Sequence, residues 1–164
     1  RGSTMIIVVV RHGQYIGFAD GPLSITGNEK VRELGEVLAQ DLKGMKVAML
    51  CSPKQRTVNT RDSLSTFLNS GHLEVLESLD MGCCASELNA HSSKTLARIE
   101  ELSSEYDAVV LVSHSDYVSL FPTVWAETVK KSVVYPEYPI PFASARVIDT
   151  ETGEVKFIKS CVTA

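Results

Sequence analysis

At 164 residues and 17.9 kDa, the chain is long enough to bury one substantial core and too short for several domains. Its 44% hydrophobic and 22% charged residues are ordinary for a globular protein and exclude a disordered or collagen-like chain. A formal net charge of −4 argues against a nucleic-acid partner, and the leading apolar run is too short for a membrane span, so no membrane is expected either.

Arg1-Gly2-Ser3-Thr4 reads as an expression-tag remnant, leaving 5–164 as a single domain with a cytoplasmic setting expected. Four cysteines, Cys51, Cys83, Cys84 and Cys161, lack the spacing of a zinc site. They are expected to be reduced packing residues, with Cys51 and Cys84 near the mouth of any site and open to oxidation there.

In chain order, Met5 to Val10 is an unbroken apolar run rich in β-branched residues, the pattern of a strand buried on both faces. It ends in Arg11-His12-Gly13. A helix is expected from Thr26-Gly27-Asn28-Glu29, a capping box, with Val31, Leu34, Leu38 and Leu42 at helical spacing. Met45 to Leu50 is a second strand, leading into Cys51-Ser52-Pro53-Lys54-Gln55-Arg56. There Ser52 reads as a cap and Pro53 as the first residue of a helix running through Val58, Leu64 and Leu68 to about Gly71.

Leu73 to Leu76 makes a short third strand, and a helix follows over about Ser93–Ser104 with Leu96, Ile99 and Leu102 inward. Ala108 to Val112 is a strand that delivers Ser113-His114-Ser115-Asp116. Asp116 to Thr128 reads as a helix burying Leu120 and Val124. Lys130 to Pro141 carries too many prolines for a regular element. It is either a surface connector or a wall folded over the strand ends. Ala143–Asp149 and Glu154–Ser160 flank a turn with Gly153, a hairpin signal. Alternating strands and helices predict a three-layer α/β/α sandwich. Its sheet is mostly parallel, with helices on both faces and the C-terminal hairpin at one edge.

Three apolar strands thus bring two arginines and two histidines to one sheet edge, the edge where open α/β sheets bind ligands. Arg11 and Arg56 suit an oxyanion, because a guanidinium donates two parallel hydrogen bonds. Arg56 also falls in the first turn of its helix, where free amides favour an anion. Charge-assisted bonds contribute roughly 1.5–3 kcal/mol each, against roughly 0.3–1 kcal/mol for an exposed helix dipole. The arginines dominate. His72 and His91 stand in polar surroundings and are expected to be exposed and non-catalytic. Arg32, Arg61 and Arg98 are expected on helix surfaces or in ion pairs, with Arg61 a minor candidate for the pocket rim.

These segments resemble the histidine phosphatase, or phosphoglycerate-mutase-like, superfamily. Its R-H-G motif is matched by Arg11-His12-Gly13, and its S-P-x-x-R-x-x-x-T motif by Ser52 to Thr60. Its late histidine is matched by His114, and its proline-leucine-threonine-x-x-glycine stretch by Pro22 to Gly27. The chain departs from the pattern in Gln14, Thr57 and a missing tryptophan-glutamate-glycine stretch. With only eight residues from Gln14 to Gly21, it is most similar to the short branch typified by SixA-type phosphohistidine phosphatases.

The resemblance implies a phosphatase that uses neither metal nor cofactor. His12 would carry the phosphoryl group, neutral and held by a partner on its other nitrogen. Arg11, Gly13, Arg56 and His114 would bind the phosphate, and His114 would be kept charged by it. Asp80 is the best-placed general acid, with Glu77 and then Glu87 behind it, although Asp80 also reads as a loop-capping residue. The substrate is expected to be a phosphorylated protein, plausibly at histidine, or a small phosphorylated metabolite. A phosphoglycerate-mutase-type phosphotransferase and a catalytically weak phosphate-binding module are the alternatives.

Overall fold

A computed structural model describes residues 5–80, 87–129 and 133–160. Cys83, Cys84, Cys161 and the first four residues lie outside the described residues. Six strands form one sheet: β1 (Ile6–Arg11), β2 (Val47–Cys51), β3 (Ser70–Val75), β4 (Ala108–Ser113), β5 (Ala145–Asp149) and β6 (Val155–Ile158). Their order across the sheet is β3-β2-β4-β1-β5-β6. The first four run parallel, whereas β5 pairs antiparallel with both β1 and β6. The mostly parallel sheet and its hairpin edge are as the alternation predicts, and Gly153 supplies the turn at φ 84°.

Four helices cover the two faces: α1 (Ile25–Asp41), α2 (Gln55–Ser65), α3 (Leu88–Leu102) and α4 (Ser115–Val129). Successive strand residues point to opposite faces, so the unbroken apolar runs split between two cores. Val8, Val10, Met49, Val110 and Val112 pack with Val31, Leu34, Leu38 and Leu64, on the side of α1 and α2. Ile7, Val9, Leu50, Val109 and Leu111 pack with Ile99, Tyr117, Phe121 and Trp125, on the side of α3 and α4.

Several helix limits differ from the sequence expectation. Ser24, not Thr26, caps α1; its backbone is extended and its hydroxyl accepts from the Gly27 amide at 2.9 Å. The start of α2 is Gln55, because the Ser52 hydroxyl is held by Thr57 and His114 instead of capping a helix. It closes at Ser65, so Leu68 lies beyond it, where Asn69 and Ser70 already enter the sheet. The third helix begins at Leu88, five residues before the expected Ser93.

In α4 the large aromatic side chains Tyr117, Phe121 and Trp125 take the buried face, leaving Leu120 and Val124 only partly buried. His72 is on β3, 2.7 Å from Glu74, and His91 is inside α3, so both are half-buried and neither sits in a loop. Arg98 pairs with Glu74 at 2.6 Å. Arg61 is buried and donates to the Glu74 carbonyl at 2.9 Å, which removes it from any pocket rim. Arg32 is exposed.

Gly27 is fixed by close approach. A Cβ there would lie 2.0 Å from the Gln14 carbonyl oxygen, a backbone atom that cannot swing away. Gly27→Ala is therefore expected to lower stability by about 1–3 kcal/mol or more, read as a fall in the denaturant midpoint at unchanged slope. A variant with wild-type stability would show that the Gln14 segment yields freely.

Candidate active site

The parallel register sets the carboxyl ends of three strands level. Arg11 pairs with Ser113, and Cys51 with Val112. Just past these ends, the His12 amide bonds the Ser113 carbonyl at 3.1 Å and the Ser52 amide bonds the Val112 carbonyl at 3.1 Å. Side chains from three distant stretches of sequence consequently share one small space. The imidazoles of His12 and His114 are 5.3 Å apart between centroids, nearly edge to face.

His12 is almost fully buried. Its Nδ1 lies 2.8 Å from the Gly13 carbonyl oxygen. A carbonyl can only accept, so Nδ1 carries the proton and Nε2 keeps a free lone pair. The Nε–H of Arg56 points to that Nε2 at 3.3 Å. Burial first, and then His114, Arg56 and Arg11, push the His12 pKa down to about 3, against the raising effect of the Gly13 carbonyl. The neutral form expected from sequence thus has its tautomer held by a backbone acceptor.

His114 Nε2 is 3.0 Å from the Ser52 hydroxyl and 3.5 Å from Asp80 Oδ1. Burial and Arg56 lower its pKa to about 4, with Asp80 opposing the shift. Burial therefore favours neutral His114, and the charged form expected of it depends on an arriving anion. Asp80 also approaches Lys54, with 3.5 Å between Oδ2 and Nζ. Of the other two carboxylates considered, Glu77 is exposed at the start of a short 3₁₀ turn, and Glu87 lies 3.7 Å from His91.

Arg11 donates to the Ile140 carbonyl at 2.6 Å, and its guanidinium lies 4.0 Å over the Phe142 ring. The proline-rich segment before β5 therefore folds over the strand ends, as one of its two sequence readings has it. Arg11 Nε is buried without a hydrogen-bond partner among the described residues, an unfilled donor that suits an oxyanion. Gly13 differs from expectation. Its amide donates to Thr60 Oγ1 at 3.0 Å, which takes it away from an incoming phosphate. What demands glycine there is helix α1: a Cβ would lie 2.7 Å from Val31.

The first-turn amides of α2 are not free for an anion either. Asp20 accepts from the amides of Gln55 at 2.8 Å and Arg56 at 3.2 Å, and from Arg56 Nη1 at 2.9 Å. Burial, the largest single influence, pushes its pKa up, but these bonds and the Gly21 amide together outweigh it and bring the value down to about 2. Tyr15 is the other residue that sequence reasoning missed, its ring 5.4 Å from His12 and 4.9 Å from the Arg56 guanidinium. Both lie in the loop between Gly13 and Pro22, in which the sequence offers a length but no motif. An Asp two residues before Pro22-Leu23-Ser24, itself the cap of α1, carried no pattern by which to single it out.

Cys51 is fully buried, and burial pushes its thiol up to about 11, so it is an inert core residue and not a redox-sensitive one at the mouth. Among the described residues no group of three or more His, Cys, Asp or Glu is placed to hold a metal ion. Among the same residues no helix is long and apolar enough to cross a membrane.

No family model and no curated protein matches the chain. Solved structures do. The protein histidine phosphatase SixA complexed with tungstate superposes with a TM-score of 0.65 at 21% identity, covering 93% of this chain and 94% of that one. The product of an open reading frame from Mycobacterium tuberculosis gives 0.65 at 19% identity and 99% of both chains. A mycobacterial glucosyl-3-phosphoglycerate phosphatase complexed with VO3 gives 0.61 at 16% identity, covering 98% and 99%. At such identities the likeness is one of fold, and it spans the whole chain: this is the histidine phosphatase fold.

Both histidines have folded values below the ordinary 6.5, so between those values and 6.5 the unfolded chain binds more protons than the folded one. Their contribution to stability is complete above about pH 6.5 and falls as the pH drops towards 4 and 3. In the free protein the ring resonances of His12 and His114 should stay flat from about pH 8 to about pH 5 and move only below. Either ring titrating near 6.5 in nuclear magnetic resonance spectra would overturn this.

Proposed function

We propose that this chain, which has the histidine phosphatase fold, is a metal-independent phosphatase that works through a phosphohistidine on His12. The observation that carries the reading is the Gly13 carbonyl on His12 Nδ1, which leaves the Nε2 lone pair facing the Arg56 Nε–H at 3.3 Å, with the His114 ring 5.3 Å from that of His12. In the first step Nε2 attacks phosphorus, the bond from phosphorus to the leaving atom breaks, and that atom takes up a proton. In the second, water attacks phosphorus and gives up a proton to the group that supplied the first, the P–N bond breaks with its electron pair returning to Nε2, and inorganic phosphate departs. Arg11, Arg56 and His114 hold the equatorial oxygens through both steps, a task of positioning and charge neutralisation. Asp80, whose carboxylate lies 3.5 Å from His114 Nε2, is the candidate source of the leaving-group proton.

The substrate is a phosphorylated protein or a small phosphorylated metabolite. Neighbours of both kinds support it, one a protein histidine phosphatase and one a sugar-phosphoglycerate phosphatase. A cytoplasmic setting belongs to this reading and accords with a free thiol at Cys51.

Brief incubation with labelled substrate should yield an acid-labile, base-stable phosphoprotein that His12→Ala cannot form. Turnover by the wild type without this species would remove the covalent mechanism. Asp80→Asn separates the two substrate kinds, since proton donation matters most for poor leaving groups. It should lower kcat/KM for alkyl phosphates much more than for an aryl phosphate. Equal losses on both would give Asp80 a structural role, and no loss on either, with phosphohistidine still hydrolysed, would favour the protein substrate.

A further inference from the structure

We infer that Asp20 is a positioning residue that aims Arg56 at the phosphate. The inference rests on the phosphatase reading and adds a residue outside the R-H-G and S-P-x-x-R motifs. Asp20 accepts four N–H groups: the amides of Gly21, Gln55 and Arg56, and Nη1 of Arg56. The Ala19 carbonyl adds a second acceptor for Nη1 at 2.9 Å. Carboxylate and carbonyl together fix Nη1, the terminal nitrogen on the side of the guanidinium away from the Nε–H. The opposite edge, with Nε–H and Nη2 parallel, is turned towards His12, where Nε already reaches Nε2 at 3.3 Å. That is the edge able to grip two oxygens of one phosphoryl group.

The loop that presents Asp20 is itself secured. Tyr15 and Leu23 form an isolated antiparallel bridge, the Ile16 amide bonds the Pro22 carbonyl at 2.8 Å, and the Ser24 amide bonds the Gln14 carbonyl at 3.0 Å. Gly21 closes the turn so tightly that a Cβ would fall 1.7 Å from the Ile16 carbonyl oxygen. Tyr15 lies against the guanidinium at 4.9 Å. The carboxylate thus reaches Arg56 from a rigid strap, as a preorganised group should. Its charge also serves the first-turn amides of α2, so the helix start and the arginine are oriented by one side chain.

The alternative is a carboxylate that occupies the anion site and must leave before phosphate enters. The two differ in sign, and vanadate binding by titration calorimetry distinguishes them without turnover, so failure of the phosphatase reading and failure of this one are separately visible. Asp20→Asn keeps the size of the side chain and removes its charge; Asp20→Ser serves as a second variant should the first misfold. Vanadate affinity and kcat/KM on an aryl phosphate should fall together by about 10- to 100-fold. In an Arg56→Lys background, where the fork is gone, the same change should cost less than about threefold. Unchanged or tighter vanadate binding in Asp20→Asn would overturn the assignment, as would an undiminished loss in the Arg56→Lys background, the mark of a purely structural loop anchor.

Discussion

Everything at the site depends on the register of three parallel strands. Because β1, β4 and β2 end level, the residues that follow them meet at one place, although His12, Ser52 and His114 are far apart in sequence. A slip of one residue in any of the three would turn its side chains to the other face of the sheet. The two apolar cores secure that register from both sides, since each strand contributes alternately to one and then the other. The chemistry therefore has a packing cause: valines and leucines that touch no substrate decide where the charged groups stand.

At the sheet edge a layer of hydroxyl groups converts register into aim. Thr60 receives the Gly13 amide and donates to the Arg56 carbonyl, tying the first catalytic loop to the helix that bears the second arginine. Thr57 secures Ser52, and Ser52 in turn reaches His114. The motif that follows β2 is thus only partly a ligand set. Its hydroxyl residues Ser52, Thr57 and Thr60 hold the motif's own backbone, one another and the two neighbouring strand ends. Threonine suits this work because a single buried hydroxyl can donate to one backbone group while accepting from another.

The sequence was most informative where one physical rule acted alone. Buried parallel strands need continuous apolar runs, and all four parallel strands but the last-paired β3 display one. The hairpin needs a glycine at its turn, and Gly153 is there. Reading failed where two rules competed for one residue. Ser52 has the side chain of a helix cap, but its hydroxyl is worth more in the buried network with Thr57 and His114, so the helix starts later. The position of Arg56 predicts first-turn amides of α2 open to an anion, yet a carboxylate from a loop of no evident pattern meets them. In α4 the helical period was visible but its phase was not, because Tyr117, Phe121 and Trp125 outweigh the aliphatic residues beside them.

Arg11 joins two regions that have little sequence in common. Its side chain is clasped by the Ile140 carbonyl and the Phe142 ring, both from the segment that precedes β5. That segment overhangs the site, where on the phosphatase reading a substrate's distal portion would meet the protein. In this chain it cannot be exchanged as an independent cassette. Any graft intended to retune selectivity must return a carbonyl oxygen and an aromatic face to the same two points, or the arginine is left without its seat. On the phosphatase reading, substrate preference and rate would therefore change together here, through one guanidinium that answers to both.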